Sequence, residues 1–545
     1  MKKAISLFLA LLLTAALLLP ALAVDPSKLP YSGNDRIPVI MIGGDGEPLY
    51  NAEGEHIFTL TELGKLTEKT DKKDMYEAVA NVLQPFLLEG VLFNRWDNYY
   101  KNLEKEIGEL TGDIKLDADG NPSNGSHISP ARYEEMKRNM QTDKSAGKGY
   151  YDIYDYCFWY DWRLDPLLIA DQLNDYIDGV LAATGAEKVA IVSRCIGTTV
   201  AVSYAAKYGT SKLNGVGLDG SCTAGGEFIS DALSGNFKLD GNAIGRFLTD
   251  YDALGMLSVS EFALASLDLL TKSGALDAVT GISRETIYKK IMQGATSALA
   301  LSTLFTMPCY WCFVTADRYE AAKTNVFGAP GSEKRQQYAG LIEKLDAYHN
   351  TVRLHLSDIM RGFGENGVNT GVISKYGFQI VPICASGDAV ADQYASVTSS
   401  SFGATASTLY DTLPEDYVAG REAEGKGRYI SADRQVDAST CLYPDSTWFI
   451  KGARHGNWLS AENEILYTVT TADRQLTTAD LPYTQFIVYN DAEKTVSPMT
   501  AENCHTEYWT ADPSADHPKT VFERLKAFFD ALIRWFRALF KKDKR

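Results

Sequence analysis

The run Lys188-Val189-Ala190-Ile191-Val192-Ser193-Arg194-Cys195-Ile196-Gly197-Thr198-Thr199-Val200 reads as an apolar strand, a tight turn of small residues and the start of a helix, with a cysteine at the apex. A nucleophile presented on such a turn needs small residues two before and two after it, because the strained backbone brings strand and helix too close for larger side chains. Ser193 and Gly197 meet that demand around Cys195. Centring the pattern on Ser193 would place Ile191 at a flank, which is too large, so the thiol is the candidate nucleophile. A thiol at the first turn of a helix has its thiolate favoured by the positive end of the dipole, and a neighbouring imidazole would complete a thiolate–imidazolium pair able to attack an acyl carbon near neutral pH. The plain alternative is a packed cysteine at a strand–helix junction, since free Cys behaves as a small hydrophobe.

The elements around this turn alternate. Tyr156 to Trp162 reads as strand, Pro166 to Thr184 as helix, Lys188 to Val192 as strand, Gly197 to Tyr208 as helix and Leu213 to Leu218 as strand. Such an order requires right-handed crossovers, and predicts an α/β fold with a mostly parallel sheet and helices on both faces. An earlier short strand, Arg36 to Ile42, ends in the glycine-rich turn Gly43-Gly44-Asp45-Gly46, where backbone can approach a ligand. Residues near Lys73 to Leu110 have helical periodicity. A mainly helical pattern then separates Leu218 from the next expected core strand, Phe378 to Ile383, and an insertion of that length must be an ordered subdomain. Its natural place is over the carboxyl ends of the strands. Thr447 to Ile450 is the final core strand, and Gln485 to Tyr489 with Thr495 to Ser497 predicts an extra hairpin around Asn490-Asp491. The expected organisation is a signal peptide at 1–23, core at 24–224, a helical cap at 225–375, core again with the hairpin at 376–510, a linker at 511–519 and a basic amphipathic helix at 520–545.

Lys2 and Lys3, an apolar run from Ala4 to Leu19 and Pro20-Ala21-Leu22-Ala23 have the form of a bacterial export signal, which predicts a secreted or cell-surface protein. The 545-residue chain can bury a large core. Its formal net charge of −17 argues against nucleic acid as a partner. Eight cysteines in so long a chain do not make a disulfide scaffold, and most are expected to be reduced and buried. Cys309-Tyr310-Trp311-Cys312 has redox spacing but sits in an aromatic-rich stretch without a nearby His or second pair, so it reads as structural. Leu116 to Pro122 lacks the later bidentate Glu of a calcium loop and reads as a polar turn. No metal is assigned.

Two further segments carry a resemblance. Tyr160-Asp161-Trp162-Arg163 ahead of a helix, and Pro38-Val39-Ile40-Met41-Ile42-Gly43-Gly44, resemble the segment before the nucleophile and the oxyanion strand of the lecithin:cholesterol acyltransferase and related lipases. The chain therefore resembles an α/β-hydrolase over about residues 35–55, 155–225 and 376–458. It departs from the lipases at the nucleophile, where their H-S-x-G is replaced by Arg194-Cys195-Ile196-Gly197. A cysteine nucleophile occurs in the dienelactone hydrolases of the same fold. The resemblance implies the chain order nucleophile, acid, histidine, with acid and histidine just beyond late strands. Among seven histidines only His455, flanked by Gly452 and Gly456 after the last core strand, has this setting. The acid is expected in Ser386-Gly387-Asp388-Ala389-Val390-Ala391-Asp392. The family's D-x-V arrangement places Asp388 in the role, leaving Asp392 as a cap of the next segment or as the alternative acid. Oxyanion donors would be the backbone N–H of Ile196 and one in the Gly44-Asp45 turn.

These expectations converge on an exported carboxylic-ester hydrolase that uses Cys195, His455 and Asp388, forms a thioacyl intermediate and needs no metal or organic cofactor. Its substrate would be a small-molecule or lipid ester. A catalytically silent surface binding protein and an acyltransferase are the alternatives. At the C-terminus, Phe522, Leu525, Phe529, Leu532, Phe536 and Leu539 recur at helical spacing among Arg and Lys. Such an amphipath fits an anionic membrane surface, or docks on protein.

Overall fold

Short apolar strands bring the chemistry-bearing turns to one edge. The computed structural model describes residues 37–44, 49–58, most of 81–128, 154–239, 283–380 and 384–504, apart from a few positions within those ranges, together with Lys526 and Asp530. In chain order the main strands are β1 (Val39–Ile42), β2 (Tyr156–Phe158), β3 (Val189–Arg194), β4 (Leu213–Asp219), β5 (Asn369–Tyr376), β6 (Thr447–Lys451), β7 (Phe486–Asn490) and β8 (Thr495–Pro498). They form one eight-stranded sheet in the order β8-β7-β6-β5-β4-β3-β1-β2. Every pairing is parallel except the antiparallel β7–β8 hairpin. The protein has an α/β fold. The chain leaves β1 outward to β2 and crosses back to β3, so consecutive connections diverge at the carboxyl ends of β1 and β3. A crevice opens at such a switch point.

The longer helices are α1 (Asp97–Thr111), α2 (Pro166–Thr184), α3 (Ile196–Tyr208), α4 (Glu227–Ser234), α5 (Arg284–Ser302), α6 (Tyr319–Phe327), α7 (Ala339–Tyr348), α8 (Leu356–Glu365) and α9 (Ser460–Thr471). The first crossover helix has a clear local cause. Asp165 accepts the N–H of Leu167, Pro166 sits at the first helical position where its missing N–H costs nothing, and Gly185 ends the helix at φ 70°. α2 packs on α3, whose residues Ile196 to Ala205 are all buried. α9 lies on β3, β4 and β5, and the sheet admits it through glycines: a Cβ at Gly215 would stand 2.3 Å from the Thr470 carbonyl oxygen. Val216 and Leu218 alternate to the opposite side.

Between β4 and β5 the described residues are mainly helical, but the insertion ends sooner than expected. The strand after it is Asn369–Tyr376, inside the segment assigned to the cap. Phe378 to Ile383 is not that strand: Phe378 makes only a single bridge, to Ala391, while Gln379 and Ile380 extend no ladder and 381–383 lie outside the described residues. The misreading has a physical cause. Asn-Thr-Gly-Val-Ile-Ser-Lys-Tyr is half polar, and only tertiary partners make it a core strand. Asn369 donates to the Ala472 carbonyl at 2.6 Å, Ser374 meets Ser400 at 2.7 Å and Lys375 is ion-paired.

The 116–122 segment is a polar turn, with Asp117 Oδ1 accepting the N–H groups of Asp119 and Asn121. The segments expected as an export signal (1–23), a linker (511–519) and a basic helix (520–545, save Lys526 and Asp530) lie, with Asp45, outside the described residues. No helix among the described residues is long and apolar enough to cross a membrane.

Candidate active site

Cys195 follows β3 directly and is the residue before α3, with φ 51° and ψ −126°. For a non-glycine residue this backbone is strained by about 1–3 kcal/mol, and it persists only where the surroundings impose it. They do so here through close approach on both flanks. A Cβ at Gly197 would lie 2.5 Å from the Gly43 carbonyl oxygen and 2.6 Å from that of Ile42, so β1 and the start of α3 touch backbone to backbone. Ser193, at the other flank, donates to Gly217 O on β4 at 2.9 Å. Beneath the turn Thr198 donates to the Cys195 carbonyl at 2.6 Å and joins a buried hydroxyl cluster with Ser221 and Thr223.

The glycine-rich turn after β1 faces the thiol. A Cβ at Gly44 would be 3.1 Å from Cys195 Cβ and 3.6 Å from its Sγ, so a side chain there would press on the thiol. The Tyr160 hydroxyl donates to Gly43 O at 2.7 Å and pins this turn, while Arg163 is held by Asp161 at 2.6 Å and by Ser126. The Tyr-Asp-Trp-Arg segment is thus a brace for the site. The Ile196 N–H interacts with the Cys195 sulfur.

His455 follows β6, and its Nδ1 is 2.7 Å from Asp392 Oδ2. The pair is locked further by the His455 N–H donating to the Asp392 carbonyl at 2.9 Å. The other carboxylate oxygen, Oδ1, accepts the N–H groups of Tyr394 and Ala395 at 2.9 and 2.8 Å. The structure brings together Cys195 and His455 but not Asp388. That residue is 38% exposed in its side chain and lies 3.6 Å from Lys238, whereas the Asp392 side chain is fully buried. The acid shifts by four positions because β5 ends at Tyr376, so the loop that returns through the Phe378–Ala391 bridge delivers the residue after Ala391 to the histidine.

Electrostatics follow from this arrangement. The Cys222 thiol, donating to Cys195, does most to lower the Cys195 pKa to about 5; His455 and the Ile196 N–H add to this, against burial. Burial opposes charge on His455, but Asp392 and the Cys195 sulfur outweigh it and hold the imidazolium well above its ordinary range. Asp392 is held below the usual carboxylate range: burial works the other way, and His455 with the two loop N–H groups prevails. These directions favour a Cys195 thiolate beside a charged His455 backed by the Asp392 carboxylate.

Cys222 was not legible as a site residue. It lies beyond β4, and only the parallel pairing of Arg194 with Asp219 shows that its loop runs beside the nucleophile turn. A second unread feature is the buried charge cluster next to Cys195. Arg194 contacts Asp219 at 2.8 Å and Glu462 at 3.3 Å, and Lys375 contacts the same two carboxylates at 3.3 and 3.1 Å. The Trp458 ring lies 4.2 Å from the Arg194 guanidinium. Lys375 also donates to Asn457 O at 2.7 Å and to His455 O at 3.5 Å, so the cluster ties the nucleophile strand to the histidine loop. On the insertion side, Phe313 meets Tyr394 edge-on at 5.3 Å and Tyr394 meets the His455 ring at 4.9 Å. His349 stacks on Tyr319 at 3.9 Å and His355 is exposed; His505 and His517 lie outside the described residues.

No protein-family model matches the chain, and no curated protein matches it. Among solved structures, a chain described as "The crystal structure of Tle4-Tli4 complex" is similar over 80% of this chain and 98% of that one, with 11% identity and a TM-score of 0.30. A likeness that low carries no conclusion about activity, which rests on the site itself.

Proposed function

We propose that the protein is an exported carboxylic-ester hydrolase of α/β-hydrolase type, acting through Cys195, His455 and Asp392. The observation that carries this reading is the strained Cys195 at the start of α3, with its sulfur beside an imidazole that a buried carboxylate holds from behind. The Cys195 thiolate attacks the ester carbonyl carbon, and the developing oxyanion is met by the Ile196 N–H and by an N–H of the Gly44 turn. The imidazolium of His455 passes its proton to the leaving alkoxide as the C–O bond breaks, leaving a thioester on Cys195. Neutral His455 then takes a proton from water, hydroxide adds to the thioester, and collapse of the tetrahedral adduct expels the thiolate and releases the acid. Asp392 fixes the imidazole orientation and stabilises its charged form. Tyr394 of the Asp392 loop, against the His455 ring, and Phe313 of the insertion, packed edge-on against Tyr394, favour an apolar acyl group.

A silent binding protein has no need of a strained backbone and a thiolate-favouring environment at one residue, so the hydrolase is the better reading. A series of p-nitrophenyl esters of increasing acyl length, followed by turnover and intact mass, tests it. The expected result is turnover with an acyl adduct on the wild-type chain and neither on Cys195→Ala. Undiminished turnover by a folded Cys195→Ala variant overturns the proposal.

A further inference from the structure

Three donor atoms meet at the head of β3. The Sγ atoms of Cys195 and Cys222 and a ring nitrogen of His455 all lie within 4.8 Å of one another, and all three residues are buried. The Nδ1 of His455 is committed to Asp392, which leaves Nε2 as the ring nitrogen turned toward the sulfurs, where it interacts with Cys195. We infer that Cys195, Cys222 and His455 form a binding site for a thiophilic divalent cation of the zinc class, with Asp392 as the outer partner of the imidazole.

The donor set decides the class of ion. Two thiolates and one imidazole suit Zn2+ and exclude the oxygen-seeking Mg2+ and Ca2+. Bond lengths of about 2.3 Å to sulfur and about 2.0 Å to nitrogen around a tetrahedral centre separate the donors by about 3.5–3.8 Å. The present spacing, within 4.8 Å, therefore needs a closure of at most about 1.3 Å between any two donors. Two thiolates and one histidine, with a fourth position left to water, is an established zinc ligand set. A carboxylate on the far nitrogen of a ligating histidine, as Asp392 is placed here, fixes the tautomer and strengthens the bond to metal. The backbone reinforces the arrangement: Gly220, at φ 54°, turns the chain after β4 toward Cys222 in a conformation that favours glycine, with a Cβ there 3.2 Å from the His455 ring.

The balance of the step is simple. The cation binds the existing Cys195 thiolate, displaces the thiol proton of Cys222 and the Nε2 proton of His455, and releases both to solvent. The bound cation thus occupies the nucleophile and the base at once, and excludes acyl transfer while it is held. The inference does not rest on ester hydrolysis: a protein that binds the cation but turns over no ester refutes only the functional proposal.

Cobalt(II) is the probe. Titrated into the reduced full-length chain, it should bind once, with near-ultraviolet thiolate-to-cobalt charge transfer and the intense visible bands of a tetrahedral site, and Zn2+ should displace it. Asp392→Asn should weaken binding about 10–100-fold. Cys222→Ser and His455→Ala should weaken it further, while circular dichroism reports that they fold. A Cys309→Ala/Cys312→Ala variant should bind as wild type. The inference is overturned if the reduced chain shows no thiolate-to-cobalt band, if a folded Cys222→Ser variant binds undiminished, or if binding is lost with Cys309 and Cys312 instead.

Discussion

Asp392 and Asp388 are four residues apart, yet only one can serve the histidine. Asp392 is buried with both oxygens committed, Oδ2 to His455 and Oδ1 to two backbone N–H groups. Asp388 is partly exposed beside a lysine. Asp392→Asn should therefore lower kcat by roughly 10³–10⁴, because the amide favours the wrong imidazole tautomer. Asp388→Asn should stay within a few-fold of wild type, and steady-state kinetics on a soluble ester with melting curves for both variants checks the contrast. The thiol makes a second prediction. With its pKa lowered to about 5, Cys195 is a thiolate across neutral pH, so its alkylation by iodoacetamide should rise through about pH 5 and be level by about pH 7. Burial pushes Cys384 and Cys441 upward, the latter to about 11, and they should remain unlabelled there. Peptide mapping after labelling at pH 6.5 reads the selectivity. The placement of Cys195 at a tight turn was legible because its flanking residues carry the geometric demand locally. Which aspartate meets His455 was not, because it depends on how far a loop travels before it returns.

At the scale of elements, the site exists because β1, β3 and α3 approach without side chains between them. Gly197→Ala would drive a methyl to 2.5 Å from the Gly43 carbonyl oxygen, and backbone cannot swing aside as a flexible side chain can. The expected result is a loss of about 1–3 kcal/mol of stability, read by denaturant unfolding, with a fall in kcat beyond that in KM because the turn that carries the oxyanion donor is displaced. Helix α2 was readable to the residue, since Asp165, Pro166 and Gly185 are local start and stop signals. Strand β5 was missed for the opposite reason. Its polar residues left it inside the mainly helical insertion, and the partners that make them core residues are contributed by Ser400, Ala472, Asp219 and Glu462, far away in the chain.

For the whole molecule, charge is divided unevenly. The formal net charge is −17, yet the segment 520–545 is rich in Arg and Lys around a Phe and Leu stripe. We expect this segment to hold the protein at an anionic membrane surface. Deleting it should abolish co-sedimentation with anionic liposomes, leave weak binding to neutral ones unchanged and spare turnover of soluble short-chain esters. Unchanged binding to anionic liposomes after truncation rejects the anchor. A lower melting temperature in the truncated protein, with liposome binding absent in both forms, assigns the helix to packing against the body.

What the sequence determined by itself is what depends on neighbours in the chain: the alternation of strand and helix, the cysteine at a turn flanked by Ser193 and Gly197, and the histidine just beyond the strand that begins at Thr447. Tertiary structure decided what depends on residues distant in sequence. It placed Asp392, and not Asp388, against His455, set Cys222 beside Cys195 through the pairing of β3 with β4, and closed Arg194, Asp219, Lys375 and Glu462 into one buried cluster. Local periodicity and turn geometry are short-range constraints that a linear pattern can carry. The meeting of charges and thiols across a sheet follows from strand order and loop return, and no spacing within a single segment encodes either.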